Sequence, residues 1–412
     1  MKRAYWRSPA FAIAAWVLMW GVPCAAATFT LYPYAELASV YTDNASRYSS
    51  SDAHGDFVAT ELLSGSLQAD ASEKHFALDY STVESQYIST PSLNRAFQDH
   101  FVGTSYDQRI SPGITLSVND SLLVGDGVSS TIITGNQIPI GSQLLQGLLA
   151  RSSSRDNLFN AGLSYSEPQS WDLGTQVRQL FFSGGGGASG ESFGQGIALT
   201  ADRPLGGYYW LGAGYSFDDF RFESQFPRAE SHWPQMRLTW QPDLNYYVLV
   251  RGGPILMGSF AGASSGVYRS GGWSINPGGL VQARYSNPRF VAQLEGGQQP
   301  GLGAGLAGAA LNRSVSLLLQ YAASRSVSLF IKQGFLEVSA RDRDSKLITY
   351  SIGATWLLSR NLFVTAQYYS MRNIYGGGSG ARAAGAESGT RLTTNMFLIG
   401  ATWQSAPIRW RW

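Results

Sequence analysis

The sequence predicts an all-β fold: a transmembrane, antiparallel, up-and-down β-barrel of about eighteen strands, with sixteen as the alternative. Three observations predict it. Charged residues make up only 14% of the chain, while there are 47 glycines and aromatics reach 13%. Segments of roughly ten to fifteen residues alternate apolar with polar or small side chains. Short turn-like links alternate with long, Gly- and Ser-rich ones. A water-soluble domain normally carries about 25% charged residues. A barrel in lipid instead needs apolar residues outside, small polar ones inside and aromatics at both interfaces.

The N-terminus has the pattern of a cleaved leader rather than of the fold. Lys2, Arg3 and Arg7 form a positive region, Phe11 to Val22 is a short apolar run, and Ala25-Ala26-Ala27 supplies small residues for cleavage. The run is too short for a comfortable membrane-spanning helix. Residues 1–27 are therefore expected to be a signal peptide, 28–404 the barrel and 405–412 a C-terminal tail. Cys24 opens a rival, acylation of that cysteine, but Pro23 stands where such a signal wants a small residue. Cys24 is the only cysteine, so cleavage after Ala27 leaves none for disulfides, thiolate metal sites or a cysteine nucleophile. It also removes three of the 30 basic residues, leaving 27 against 28 acidic ones. That balance gives no support for nucleic acid as a partner.

The alternation is clearest in the C-terminal half. Ile348, Tyr350, Ile352, Ala354, Trp356 and Leu358 share one face, and Thr349, Ser351, Gly353 and Thr355 the other. Leu362, Val364, Ala366 and Tyr368 oppose Thr365 and Gln367 in the next segment, and Ile114, Leu116 and Val118 oppose Thr115, Ser117 and Asn119 near the N-terminus. Soluble sandwiches alternate too, so the links decide. Short links fall at 70–73, 111–113, 167–170, 203–207, 241–244, 286–288, 323–325 and 359–361, rich in the Pro, Gly, Asn and Asp that turns require. Long ones run near 43–56, 88–95, 125–155, 184–191, 221–230, 257–271, 297–310, 340–345 and 375–390. Short turns on one rim and long loops on the other is the asymmetry of outer-membrane barrels, which places this chain in a bacterial outer membrane. The least regular stretch is 191–240.

Residues 125–155 form a long and unusually apolar link, with Ile132, Ile133, Ile138, Ile140, Leu144, Leu145, Leu148 and Leu149. Two readings stand: a loop folded inward with a short helix near 142–150, or strand extensions above the membrane. Gly262-Ala-Ser264-Ser-Gly266 fits a nucleophile-elbow pattern and Gly303-Ala-Gly305-Leu-Ala-Gly308 a dinucleotide-loop pattern. Both lie in Gly-rich links without the strand-to-helix context that gives them meaning. His54, His75, His100 and His232 lack metal-ligand spacing. His75, His100 and His232 are placed where they could face the lumen. No metal, cofactor or catalytic set is expected. Trp171, Tyr208, Tyr209, Trp210, Trp240, Tyr246, Tyr247, Trp356 and Tyr368 are expected to form interfacial girdles.

Charge within strands is more informative, because on the lipid face it costs up to about 2–4 kcal/mol at mid-membrane. Asp79, Arg109, Asp172, Arg178, Arg237, Arg284, Glu295 and Lys332 are therefore expected to point inward and line the lumen, beside Gln176, Gln235, Gln282, Gln293 and Gln367. They would either hydrate passing solutes or simply brace the wall.

The segment Pro33-Tyr-Ala-Glu-Leu-Ala-Ser-Val-Tyr-Thr-Asp-Asn44, the stretch Ser64 to Ser85 with Leu78-Asp-Tyr80, and the Ile/Leu-containing loop before Arg155-Asp-Asn157 resemble the β-barrel porins encoded beside exopolysaccharide operons. The resemblance covers about the first 165 residues. The tail after Trp403 departs from barrels that end on an aromatic, which leaves Trp403 or Trp412 as the assembly signal. The resemblance implies an outer-membrane component of exopolysaccharide synthesis or export, with that polymer and its export proteins as partners. Membrane residence itself implies contact with outer-membrane lipid, lipopolysaccharide and the barrel assembly machinery. The expected function is a pore for polar solutes or exopolysaccharide. A loop-plugged structural or accessory barrel is the alternative, and a barrel hydrolase has no supporting constellation.

Overall fold

The structure, a computed structural model, describes residues 27–43, 54–91, 99–125, 154–167, 170–184, 192–222, 228–260, 272–302, 309–340, 343–375 and 391–411. Strands β1 (Thr28–Thr42), β2 (Asp56–Ala71), β3 (Lys74–Tyr87), β4 (Asp99–Ser111), β5 (Ile114–Gly125) and β6 (Ser154–Tyr165) form the first third. Then come β7 (Asp172–Gly184), β8 (Ser192–Gly206), β9 (Tyr209–Phe222), β10 (Arg228–Trp240), β11 (Tyr246–Phe260) and β12 (Trp273–Ser286). The last third is β13 (Phe290–Leu302), β14 (Ala309–Ala322), β15 (Val327–Ala340), β16 (Arg343–Ser359), β17 (Leu362–Tyr375) and β18 (Arg391–Gln404), followed by the short β19 (Ile408–Arg411). The leader, the apolar link at 126–153 and both glycine motifs lie outside the described residues.

Each strand pairs antiparallel with its neighbour in sequence from β1 to β18. The wall closes where β1 meets β18, from Tyr34↔Gln404 to Thr42↔Met396, and β19, from Thr28↔Arg411 to Leu31↔Ile408. Closure satisfies the backbone groups that an open sheet would leave bare in lipid. The eighteen-strand barrel expected from the links is therefore the fold. All eight expected short links fall at the junctions of consecutive strands, some overlapping the strand ends, and positive-φ glycines make two of them tight: Gly113 (φ 85°), and Gly206 and Gly207 (φ 101° and 61°).

One boundary differs from the sequence reading. The expected C-terminal tail, 405–412, contains β19, which resumes the line of β18 after a break at 405–407. Pro407 has no N–H to give the ladder, so pairing lapses there. Beyond it Trp410 stacks on Phe29, with ring centroids 5.8 Å apart and planes 9° apart.

Register separates two faces. On β16, Ile348, Tyr350, Ile352, Trp356 and Leu358 are exposed, while Leu347 and Ser351 on the opposite face are buried. The exposed face continues round the wall through Leu63, Tyr80, Val177, Leu199, Met236, Val250, Val281, Leu294, Val315, Leu329 and Ile399. It is a continuous apolar band. Most ions on this outer face gather toward the long-link rim. Glu337 holds Lys346 at 2.9 Å and Arg313 at 3.4 Å, and Asp219 holds Arg228 at 2.7 Å and Arg221 at 3.0 Å. On β16 the span from Trp356 to Lys346 is ten residues, about 34 Å along the strand. At a tilt near 40° that is about 25 Å along the barrel axis, the height of an outer-membrane hydrocarbon band. Asp120 sits lower on this face and accepts a 2.7 Å hydrogen bond from Asn157 Nδ2.

Candidate functional site

The site is the inner wall, built from the residues that alternate with the apolar band. Asp79, Arg109, Asp172, Arg178, Arg237, Arg284, Glu295 and Lys332 all occupy inner-face register positions. Asp79 lies between Ser66 and Gly103, and Arg109, exposed near a short turn, faces Thr115. Lys332 lies between Leu318 and Ser351, with its ammonium 5.6 Å from the Phe330 ring centre. These three are dispersed. The other five fall on β7 to β13.

Two ion pairs on that arc skip a strand. Arg178 on β7 and Asp218 on β9 are separated by β8, where Gly196 lies in register between them. Arg178 nevertheless reaches Asp218 with both Nε (2.7 Å) and Nη2 (2.5 Å), the parallel fork that suits a guanidinium to a carboxylate. Glycine makes the crossing possible. A Cβ at Gly196 would lie 2.2 Å from Asp218 Oδ1 and 3.1 Å from Arg178 Nε. The same construction recurs one strand along. Arg237 Nη2 meets Asp202 Oδ2 at 3.1 Å across Gly212, whose Cβ would fall 1.9 Å from Asp202 Oδ1. Ser231 Oγ gives Asp218 a further 3.3 Å hydrogen bond.

Next to these pairs the wall becomes basic. Arg251 stands directly opposite Arg237 and lies 5.1 Å from the Trp233 ring centre. Its Nε is buried without a hydrogen-bond partner. Arg284 faces Tyr247 and Gln293. Neither Arg251 nor Arg284 makes an ion pair among the described residues. Glu295 is held at 3.2 Å by Gln282 Nε2, and Asp172 lies opposite Asp202. Across the lumen the inner face is apolar toward the long-link rim, with Ala38, Val40, Val58, Tyr87, Met396 and Leu398 forming one buried cluster.

A polar, partly charged interior behind a closed wall with an apolar outer band satisfies every requirement of a lipid-spanning β-structure. The chain is an outer-membrane β-barrel. No family model matches it, and no curated protein matches it significantly. Solved structures similar in outline include OccK2 (OpdF) of Pseudomonas aeruginosa, with a TM-score of 0.44 and 12% identity over 92% of this chain and 98% of that one. OccK1 (OpdK) of the same organism gives 0.44 and 11% over 93% and 99%. OccAB4 of Acinetobacter baumannii gives 0.45 and 9% over 93% and 100%. Scores this low identify neither a family nor a cargo.

Several functional residues were not singled out from sequence. Arg251, Asp202 and Asp218 belong to the site as fully as Arg178 and Arg237. Asp202 adjoins a Pro-Gly turn and Asp218 lies in the irregular 191–240 stretch, so alternation did not mark them. Two histidines need correcting. His100 and His232 are on the outer face, where their Nδ1 atoms bond Tyr80 Oη (3.1 Å) and Tyr215 Oη (2.6 Å). Each sits beside an outward tyrosine toward the long-link end of its strand. His75 is on the inner side but is tied to Asp70 beside a short turn. Of the expected girdle, Tyr209, Trp240, Tyr246, Trp356 and Tyr368 point outward, whereas Trp210 and Tyr247 point inward. Among the described residues no group of three His, Cys, Asp or Glu is arranged to hold a metal.

Proposed function

We propose that the barrel is a pore for small polar solutes and that it favours those carrying negative charge. One observation carries this reading. On the β7–β13 arc, Arg178 and Arg237 have carboxylate partners, while Arg251 and Arg284 face the interior with no ion-pair partner among the described residues. Arg251 and Arg284 outnumber Glu295, the carboxylate in register beside them, and in a water-filled channel with low-dielectric walls such a local excess of cations raises the anion concentration. An exopolysaccharide cargo, implied by the sequence resemblance, has no support among the structures named above.

The test is the reversal potential of the refolded protein in a planar bilayer under a potassium chloride gradient. Anion preference is expected, and the Arg251→Gln/Arg284→Gln variant should move the potential toward zero. A cation-selective wild type, or a variant with unchanged potential, would overturn the reading. One observation favours the second reading, a blocked accessory barrel. Val40, Val338 and Leu347 on the inner face near the long-link rim are fully buried. A barrel closed there would give folded protein and no conductance.

A further inference from the structure

Charge on the outer face at the long-link end is unevenly spread. Directly opposed residues share a face, so Arg313 on β14, Glu337 on β15, Lys346 on β16 and Arg372 on β17 all lie outward with the exposed Ile348. Glu337 is shared between Lys346 Nζ at 2.9 Å and Arg313 Nη1 at 3.4 Å, and Arg313 Nε also donates a 2.5 Å hydrogen bond to Gln298 Oε1. Arg372 is exposed, stands opposite Ile348 and Thr393, and makes no ion pair among the described residues. Three cations thus meet one carboxylate. Lys346 is in register with Ile374, two positions from Arg372, which places the two cations about 7–8 Å apart on the diagonal.

The other charged groups described on this rim differ. On β9 and β10, Arg221 and Arg228 are matched by Asp219 and Glu230. On β2 and β3 the outward charges are carboxylates, Glu61 and Glu84, which face each other. Toward the short turns the β14–β17 panel becomes apolar and aromatic. Ile348, Tyr350 and Ile352 are exposed there, and Tyr368 packs on the exposed Phe397 with ring centroids 4.9 Å apart. A surplus of cations at a lipid surface draws anionic headgroups, and an apolar face directly below them accepts acyl chains. Together they match a lipid with a phosphorylated head.

We infer that the outer face of β14–β17 at its long-link end is a docking site for a phosphorylated glycolipid of the outer leaflet. Lys346 and Arg372 hold one phosphate between them, Arg313 flanks it, and acyl chains lie along Ile348, Tyr350 and Ile352. Charge and the apolar face decide the occupant together. A zwitterionic lipid leaves the surplus cations unanswered, and an anion without a tail gains nothing from the panel below. This surface is outside the lumen, so it is independent of what the pore passes.

The test is native mass spectrometry of the whole barrel refolded in nonionic-detergent micelles, which counts bound lipids and gives their affinity. The probes are a bisphosphorylated diglucosamine acyl lipid, its dephosphorylated counterpart and inorganic phosphate. One lipid per barrel is expected, bound at least about tenfold more tightly than the dephosphorylated form, because the charge-assisted contacts go with the phosphates. Each Lys or Arg at a lipid surface is worth about fivefold in affinity. Arg372→Gln should therefore weaken binding about fivefold, and Lys346→Gln/Arg372→Gln about 25-fold. Arg221→Gln, in the balanced cluster, should bind as the wild type does. Should the double variant not fold, Arg372→Gln, which breaks no ion pair among the described residues, and the ratio of the two lipids decide. Equal affinity for the dephosphorylated lipid, or unchanged affinity in folded Arg372→Gln, would overturn the site. Displacement of the lipid by inorganic phosphate at like concentration would do so too, since it would make free phosphate the ligand. Anion selectivity in bilayers, a separate readout, tests the pore.

Discussion

Gly196→Ala is the most searching test of how the inner wall is built. The added Cβ would sit 2.2 Å from Asp218 Oδ1, 2.7 Å from the Phe217 carbonyl and 3.1 Å from Arg178 Nε, so the ion pair must part. The side chain of Asp218 is 2% exposed and that of Arg178 is 45% exposed. Breaking a fully buried pair costs roughly 3–5 kcal/mol, and an exposed one at most about 1. With one partner buried and the other half in water, a loss of about 2 kcal/mol is expected. The assay is equilibrium unfolding in lipid vesicles followed by tryptophan emission. The clash with the Phe217 carbonyl is independent of charge, so the substitution is repeated on an Asp218→Ala background. There it should cost about 1 kcal/mol or less, because no carboxylate remains to displace. Equal losses on both backgrounds would refute the idea that glycine is present to let the pair cross β8.

Three further outcomes follow from the same geometry. Val281→Arg, on the apolar band, should cost about 2–4 kcal/mol, whereas Gln282→Arg, one residue on and inward, should cost less than about 1; unfolding midpoints of the two variants check the register directly. Deleting residues 405–412 removes β19 and the Phe29–Trp410 stack, worth roughly 0.5–1.5 kcal/mol beyond its area, and should lower the temperature at which the folded band is lost on unheated gels. Anion preference should weaken from 0.1 M to 1 M salt, as the screening length falls from about 10 Å to about 3 Å; reversal potentials at fixed gradient ratio measure it.

The barrel was legible because its determinants are local. Turn residues announce the short links one at a time, as at Ser111-Pro-Gly113 and Gln241-Pro-Asp-Leu244, and alternation gives each strand its faces. Counting links then counts strands. The chemistry of the site was less legible because it is set between strands. Arg178 and Asp218 are 40 residues apart, and their meeting depends on a third residue, Gly196, that carries no chemical signal of its own. Arg251 is followed by Gly252, Gly253 and Pro254, which disguise its strand. Likewise Pro234, Pro254, Pro277 and Pro300 fall into one row only once register aligns them, since they lie twenty or more residues apart. Ile408–Arg411 was missed because Pro407 suggests an ending where pairing is only interrupted.

The strand-skipping ion pairs have a mechanical consequence. Arg178–Asp218 ties β7 to β9, and Arg237–Asp202 ties β8 to β10, so the two ties overlap and brace four strands as one panel. Immediately beyond, Pro234, Pro254, Pro277 and Pro300 stand in one row on β10 to β13, and pairing is missing there at two junctions, at 233–235 between β10 and β11 and beyond Gly279↔Gln298 between β12 and β13. A stiff plate thus borders a crease. When lateral pressure or a passing solute deforms the cross-section, the change in curvature should be taken up at the crease and not shared round the circumference. The pore would then breathe along one axis, with the charged panel keeping its shape while the wall beside it bends.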